Sequence, residues 1–342
     1  MMEKTIKLIK LTDLPTENLR LPEGLYIYGE DEFLEVMNKE GKHWRKNSVK
    51  EGYFKSFDNK KIKYYYAIPQ DAKRIVVMVH GFCEFWGKYH EMAEYLYRME
   101  YGFFMLEQRG HGLSAREIDE IDVVHIDHFS DYVKDLKCFL DGVVLKKTVK
   151  EKLVLFAHSM GGAVAGLFLE EYPDYFKKAI LSSPMFKLRT GGIPQIAIDL
   201  LAIYIRLSGQ RKKLAFNQHK FDPTPIFEKS STLSKARYDY LFMQRLEDDH
   251  YKTYGGTYAW EFESIKADRK LLRHLDKIKA DVVIFQAGND HLVDVEAYTD
   301  RAIKKIESCS IIRYEESKHE VFNAYQEIIE DFYKRFFLEL SK

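Results

Sequence analysis

Six short runs rich in β-branched and aromatic residues recur along this 342-residue chain, and stretches of helical periodicity separate them. They are RIVVMVHG from Arg74, FFML from Phe103, KLVLFAH from Lys152, AILSS from Ala179, DVVIFQAG from Asp281 and SIIRY from Ser310. They show almost no alternation of apolar and polar residues, the pattern of strands covered on both faces. Between and after them lie HEMAEYLYRM, DYVKDLKCFL and a terminal EVFNAYQEIIEDFYKRFFLEL, with apolar residues at helical spacing. A chain built this way is expected to fold as α/β, with a mostly parallel, doubly wound sheet and helices on both faces.

One interval, 185–262, breaks the rhythm, and two segments precede it. Upstream, GYFKSF and KIKYYYAI flank Asp58-Asn59-Lys60 and predict a hairpin at one edge of the sheet. Residues 1–50 are weakly patterned and are expected to form an N-terminal extension to which the sequence assigns no structure. The interval 185–262 has no buried strand and is too long for an ordinary connection. It is expected to be a helical lid inserted into a core made of residues 51–184 and 263–342. Within it, residues 193–207 predict a helix with Pro194 at its start and Gly209 beyond its end. Gln195, Asp199 and Arg206 fall on a narrow stripe, leaving a broad apolar face with Ile196, Leu200, Ile203 and Leu207. That face is expected to pack on the core, with membrane contact as the alternative. Arg206, Arg211, Lys212, Lys213 and Lys220 form a basic stretch beside it, which suits an anionic head group or transient docking on an anionic membrane surface.

Composition excludes several other classes. Hydrophobic residues make up 46% and charged residues 31% of the chain, as in a globular protein with a large core. Lys plus Arg and Asp plus Glu both number 53, so no overall bias draws it to nucleic acid. Cys83, Cys138 and Cys309 are far apart and odd in number, against a disulfide framework or a zinc site and in favour of a reducing compartment. The first residues lack the apolar core of a signal peptide, and the 193–207 stretch is too short and polar to span a bilayer. A cytoplasmic protein, at most peripheral at the membrane, is expected.

The chemistry is concentrated at the ends of the predicted strands. Ala157-His158-Ser159-Met160-Gly161-Gly162 follows one strand and opens a helix. Small residues on either side of a serine allow a tight turn that presents its hydroxyl as a nucleophile. The Met160 amide at the helix start supplies one oxyanion donor, and the Phe82 amide in His80-Gly81-Phe82-Cys83-Glu84 is the natural second. A serine hydroxyl needs a base, and the base needs an orienting acid. Asp290 follows the DVVIFQAG strand and His319 follows SIIRY, so serine, acid and histidine occur in that order. Asp294 is the alternative acid, although its place at a helix start suits an N-cap. His291 is expected at the rim, Cys83 in packing, and His80, His111 and His158 in loop hydrogen bonding, their spacing matching no metal motif.

With Arg109-Gly110-His111-Gly112-Leu113-Ser114, His158-Ser159-Met160-Gly161-Gly162, Asp290 and Ser317-Lys318-His319-Glu320, the chain from about residue 51 onward resembles the monoacylglycerol lipase and bacterial lysophospholipase family of α/β-hydrolases. Two positions depart from its pattern: Glu107 where the family often has Asp, and Ala157 for the first glycine of the turn. The resemblance implies a serine carboxylic-ester hydrolase acting on monoacylglycerols or lysophospholipids, a lid over the acyl cleft and no required cofactor. Alternatives are an amidase like the related serine aminopeptidases, a small-ester esterase, and a binding protein that has kept the fold without catalysis.

Overall fold

The computed structural model describes residues 4–16 and 19–342. In chain order the strands are β1 (Thr5–Ile9), β2 (Lys50–Lys55), β3 (Lys61–Ala67), β4 (Ile75–Val79), β5 (Gly102–Leu106), β6 (Val123–Val124), β7 (Leu153–His158), β8 (Lys178–Ser182), β9 (Gly255–Gly256), β10 (Asp281–Ala287) and β11 (Ser308–Tyr314). The helices are α1 (Glu30–Asn38), α2 (Glu40–Ser48), α3 (His90–Arg98), α4 (Ser130–Phe139), α5 (Met160–Glu171), α6 (Gln195–Leu207), α7 (Lys235–Glu247), α8 (Tyr258–His274), α9 (Val295–Lys305) and α10 (Gln326–Ser341). Nine strands make one sheet in the order β1-β11-β10-β8-β7-β4-β5-β3-β2. Its pairings are parallel except β2 with β3 and β3 with β5. The predicted hairpin is therefore β2 and β3, with β2 on the outer edge.

Every residue of β4 is buried, because successive side chains enter different cores. Val77 and Val79 join Leu155, Ala157 and Ile284 on one face, together with residues of α4, α5 and α9. Val76 and Met78 join Val154, Phe156 and Phe285 on the other, together with residues of α1, α3 and α10. Burial on both faces is what removed the alternation from these strands in the sequence.

The N-terminal residues are part of this architecture. β1 adds in parallel to β11, pairing Thr5 with Ser310 through Ile9 with Tyr314. Of its five residues only Ile9 is buried, so a strand on this edge leaves almost no apolar signature. Leu25, Ile27, Tyr28, Phe33 and Met37 are buried in the second core.

Between β8 and β10 the chain forms α6, α7, β9 and α8. The expected boundary at 262 falls inside α8, whose later turns pack on α5: a Cβ on Gly166 would lie 2.8 Å from the Leu271 side chain. The lid segment is thus continuous with a core helix. Helix α6 begins after Pro194 and ends before Gly209, which has φ +70°. Its orientation differs from the expected one. Ile198 and Ile205 are buried and Asp199 pairs with Arg269 of α8 at 3.1 Å, so the narrow polar stripe helps to anchor the helix. Ile196, Leu200, Ile203 and Leu207 are left 72%, 62%, 56% and 82% exposed.

Asp268 of α8 holds the start of the lid, accepting the Leu188 N–H at 2.7 Å. Burial pushes its pKa up to about 7 despite that bond and the nearby Lys187. A carboxyl raised in this way binds a proton in the folded state that the unfolded chain has already released. Its contribution to stability therefore falls as pH rises from about 4 toward 7. Asp268→Asn is expected to flatten the decline of unfolding free energy between pH 5 and pH 7, by up to about 1.4 kcal/mol per pH unit. Urea denaturation at several pH values measures this.

Candidate active site

Strand β7 delivers the chain to Ser159, and α5 begins at the next residue. Ser159 itself has φ 52° and ψ −121°, a conformation that L-residues rarely adopt. Two glycines make the turn possible. A Cβ on Gly161 would lie 2.2 Å from the Val79 carbonyl oxygen, and one on Gly162 would lie 2.4 Å from Pro184 Cβ. Ala157 also faces the core and is fully buried, so the alanine that replaces the first glycine is accommodated without exposure.

The three residues singled out from the sequence meet at this turn. Ser159 Oγ–H donates to His319 Nε2 at 2.8 Å, and His319 Nδ1–H donates to Asp290 Oδ2 at 2.7 Å. Asp290 Oδ1 accepts the Leu292 and Val293 N–H groups, both at 2.9 Å. Burial works against ionisation of Asp290, but His319 and these two amides outweigh it and hold its pKa below the usual value. As an ionised acceptor, Asp290 requires the proton on Nδ1 and leaves Nε2 free to take one from serine. Asp294, the alternative acid, caps α9 by accepting the Ala297 N–H at 3.3 Å. His291 is exposed on the rim.

The amides of Phe82 and Met160 are the expected oxyanion donors. Neither the Phe82 nor the Met160 N–H donates to a protein acceptor among the described residues. The loop that carries Phe82 runs close to the nucleophile, since a Cβ on Gly81 would lie 3.0 Å from Ser159 Cβ. Its conformation requires φ 58° at Cys83, a buried residue whose thiol pKa is pushed up by burial.

The groups that hold it include several the sequence did not point to. Glu84 accepts the Gly81 N–H at 2.6 Å, the Tyr89 hydroxyl at 2.7 Å and Lys88 Nζ at 2.5 Å. Lys88 also reaches Glu320 at 2.8 Å, joining the loop after β4 to the residue after His319. Burial opposes the charge on Glu84, yet Lys88 and the neighbouring histidines keep its pKa well below the carboxylate range. Glu84 and Lys88 are four residues apart, a spacing that could have signalled the pair had a helix been expected there. His80 Nδ1–H donates to the Gly81 carbonyl at 2.7 Å, and its Nε2 accepts the Gln108 N–H at 2.8 Å. Burial lowers the His158 pKa to about 4, so this neighbour of His319, with ring centroids 5.0 Å apart, is neutral at physiological pH.

The segment 109–114 buttresses these loops. Arg109 binds Asp135 through two nitrogens, at 2.6 and 2.7 Å, and reaches Asp58 and Glu117 with a third. Glu107 accepts the Trp86 N–H at 3.0 Å and the Leu113 N–H at 2.8 Å, tying the loops after β4 and β5 together. Above them, Ser159 and His319 open into a cavity of about 910 Å³. Leu188, Ile198, Leu201, Phe221, Phe242 and Ile265 are among its walls, most of them from the lid.

A serine hydroxyl relayed to a buried carboxylate at a strand-to-helix turn matches the comparison with known families. Residues 70–326 match the family model described as serine aminopeptidase, S33. The chain belongs to this family of α/β-hydrolases. The hydrolase is 28% identical to lysophospholipase L2 of Escherichia coli (strain K12) over 251 residues, 73% of each chain. Its fold is shared with the crystal structure of the monoacylglycerol lipase of Paleococcus ferrophilus, at 19% identity and TM-score 0.61, over 82% of this chain and 98% of that one. It is also shared with a soluble variant of the monoglyceride lipase of Saccharomyces cerevisiae, at 17% identity and TM-score 0.64, over 85% and 94%.

The glycine packing under Ser159 predicts a stability effect. Gly161→Ala is expected to lower the unfolding free energy by about 1–3 kcal/mol, or more if the backbone of β4 cannot yield. Gly142→Ala, in a helical segment where an added Cβ meets nothing within 4 Å, is expected not to lower it and to raise it by up to about 1 kcal/mol. Urea denaturation of both variants compares them.

Proposed function

We propose that the hydrolase cleaves the carboxylic ester of a single-chain lipid, a lysophospholipid or a monoacylglycerol, through an acyl-serine intermediate. The observation that carries this reading is the Ser159–His319–Asp290 relay at the floor of a large cavity with apolar walls. Such a cavity suits an acyl chain better than a small soluble ester. Relatives named lysophospholipase and monoacylglycerol lipase support it.

In this mechanism Ser159 Oγ attacks the ester carbonyl while His319 Nε2 takes its proton. The carbonyl oxygen becomes the oxyanion and is stabilised by the Phe82 and Met160 amides. Asp290 stabilises the imidazolium. His319 then protonates the departing alcohol, leaving fatty acyl-Ser159. Water, deprotonated by the same histidine, attacks the acyl group and releases fatty acid and free serine. Residues 51–184 and 263–342 supply the reacting groups, and residues 185–262 form the lid that encloses the chain.

The outer face of α6 extends the proposal to the membrane surface. Phe216, 93% exposed, lies near the apolar residues of α6 in sequence, and Arg206, Lys212 and Lys213 are exposed with no ion pair among the described residues. Exposed apolar side chains accompanied by unpaired cations suit reversible docking on anionic lipid, where a single-chain substrate resides. No helix among the described residues is long and apolar enough to cross a membrane.

Fatty acid release from a lysophospholipid and from a monoacylglycerol tests the activity. Release from at least one is expected, and Ser159→Ala should lower it by at least about 10⁴-fold; no release from either would overturn the reading. For docking, flotation with liposomes is expected to show binding that increases with anionic lipid and weakens in a variant with Leu200→Ser and Leu207→Ser. Equal, negligible binding with and without anionic lipid would refute it.

A further inference from the structure

Arg245 lies on lid helix α7, 162 residues from the oxyanion loop in sequence, yet it donates to the loop's Cys83 carbonyl. The bond from Nη2 is 2.6 Å long. The other terminal nitrogen, Nη1, donates to the carbonyls of Tyr251 and Thr253 at 2.9 and 2.8 Å. The guanidinium thus spans two lid segments and one core loop, and it makes no ion pair with a carboxylate among the described residues. Its central carbon lies over the Phe85 ring, 5.3 Å from the centroid.

The position of the accepted carbonyl gives this contact its meaning. Cys83 follows Phe82, whose amide is the second oxyanion donor of the proposed reaction. Cys83 has φ 58°, a conformation that its own backbone does not favour and that its surroundings must maintain. From the core, Glu84 holds the Gly81 amide on one side of Phe82. From the lid, Arg245 holds the Cys83 carbonyl on the other. A second lid contact agrees with this arrangement: the Phe82 ring stacks on Trp260 of α8 with centroids 3.7 Å apart.

We infer that Arg245 is a positioning residue through which the docked lid sets the conformation of the oxyanion loop, so that the lid completes the catalytic site as well as walling the substrate cavity. The inference rests on the ester-hydrolase reading for its consequence in catalysis, but the physical link between lid and loop can be tested without substrate.

Two arms make the test. In the first, hydrolysis of a short, water-soluble p-nitrophenyl ester is followed for wild type, Arg245→Met and Arg245→Lys. Losing an oxyanion donor outright costs about 10²–10³ in kcat, and releasing the loop that holds one is expected to cost at least about tenfold, with KM changed by less than threefold. Arg245→Lys, which keeps a cationic donor for Cys83, should recover most of the loss. An unchanged kcat, or an increase confined to KM, would overturn the inference and make Arg245 part of the cavity wall only.

In the second arm, iodoacetamide labelling of Cys83 is followed by peptide mass spectrometry, with buried Cys309 as the internal control for global opening. Labelling of Cys83 is expected to accelerate severalfold in Arg245→Met while Cys309 stays at the wild-type rate. Unchanged labelling of Cys83, or equal acceleration at both cysteines, would overturn the inference. If the wild type hydrolyses no ester, the functional reading fails and this arm alone still decides whether Arg245 holds the loop.

Discussion

The close approach of α5 to β4 governs the geometry of the whole site. Only glycine fits at 161 and 162, where the helix start meets the Val79 carbonyl and Pro184, and this contact leaves Ser159 in a strained left-handed turn. Strain of this kind costs on the order of 1–3 kcal/mol. It persists because α5 is embedded in the protein: Met160 through Leu169 are all buried, so relaxing the turn would mean withdrawing a helix from the core. The same turn places the Ser159 hydroxyl within hydrogen-bond reach of His319, beside a Met160 amide that has no protein acceptor among the described residues.

Around that turn, buried charges determine where the loops lie. Arg109 with Asp135, and Glu84 with Lys88 and Glu320, lie in surroundings that exclude water, where an unpaired charge would be expensive. Hydrophobic replacements can stabilise as well as such pairs do, whereas removing one partner leaves a buried charge uncompensated. The Glu84 carboxylate collects an amide, a hydroxyl and an ammonium group, and few loop conformations satisfy all three.

The lid has two apolar surfaces with different destinations. Its inner one lines the cavity above Ser159, and its outer one, on α6, meets solvent. In the docked helix Ile198 and Ile205 are buried and Asp199 faces Arg269 of α8 in a partly exposed pair, while the broader apolar face points outward. Contiguous exposed apolar surface is uncommon on a protein that meets only water.

The amino-acid sequence by itself determined the strand and helix rhythm, the turn at Ser159 and the serine, acid, histidine order, because each depends on local burial, small residues or position relative to a strand end. The departure at Glu107 was legible as a residue but not as a link, since its partners Trp86 and Leu113 lie on different loops. β1 was invisible because an edge strand with one buried residue has no apolar periodicity. The outward face of α6 and the reach of Arg245 to Cys83 were decided only by the tertiary structure. Helical periodicity shows that a face is apolar without naming what covers it, and a hydrogen bond between residues 162 apart exists only once the sheet and lid have brought their backbones together.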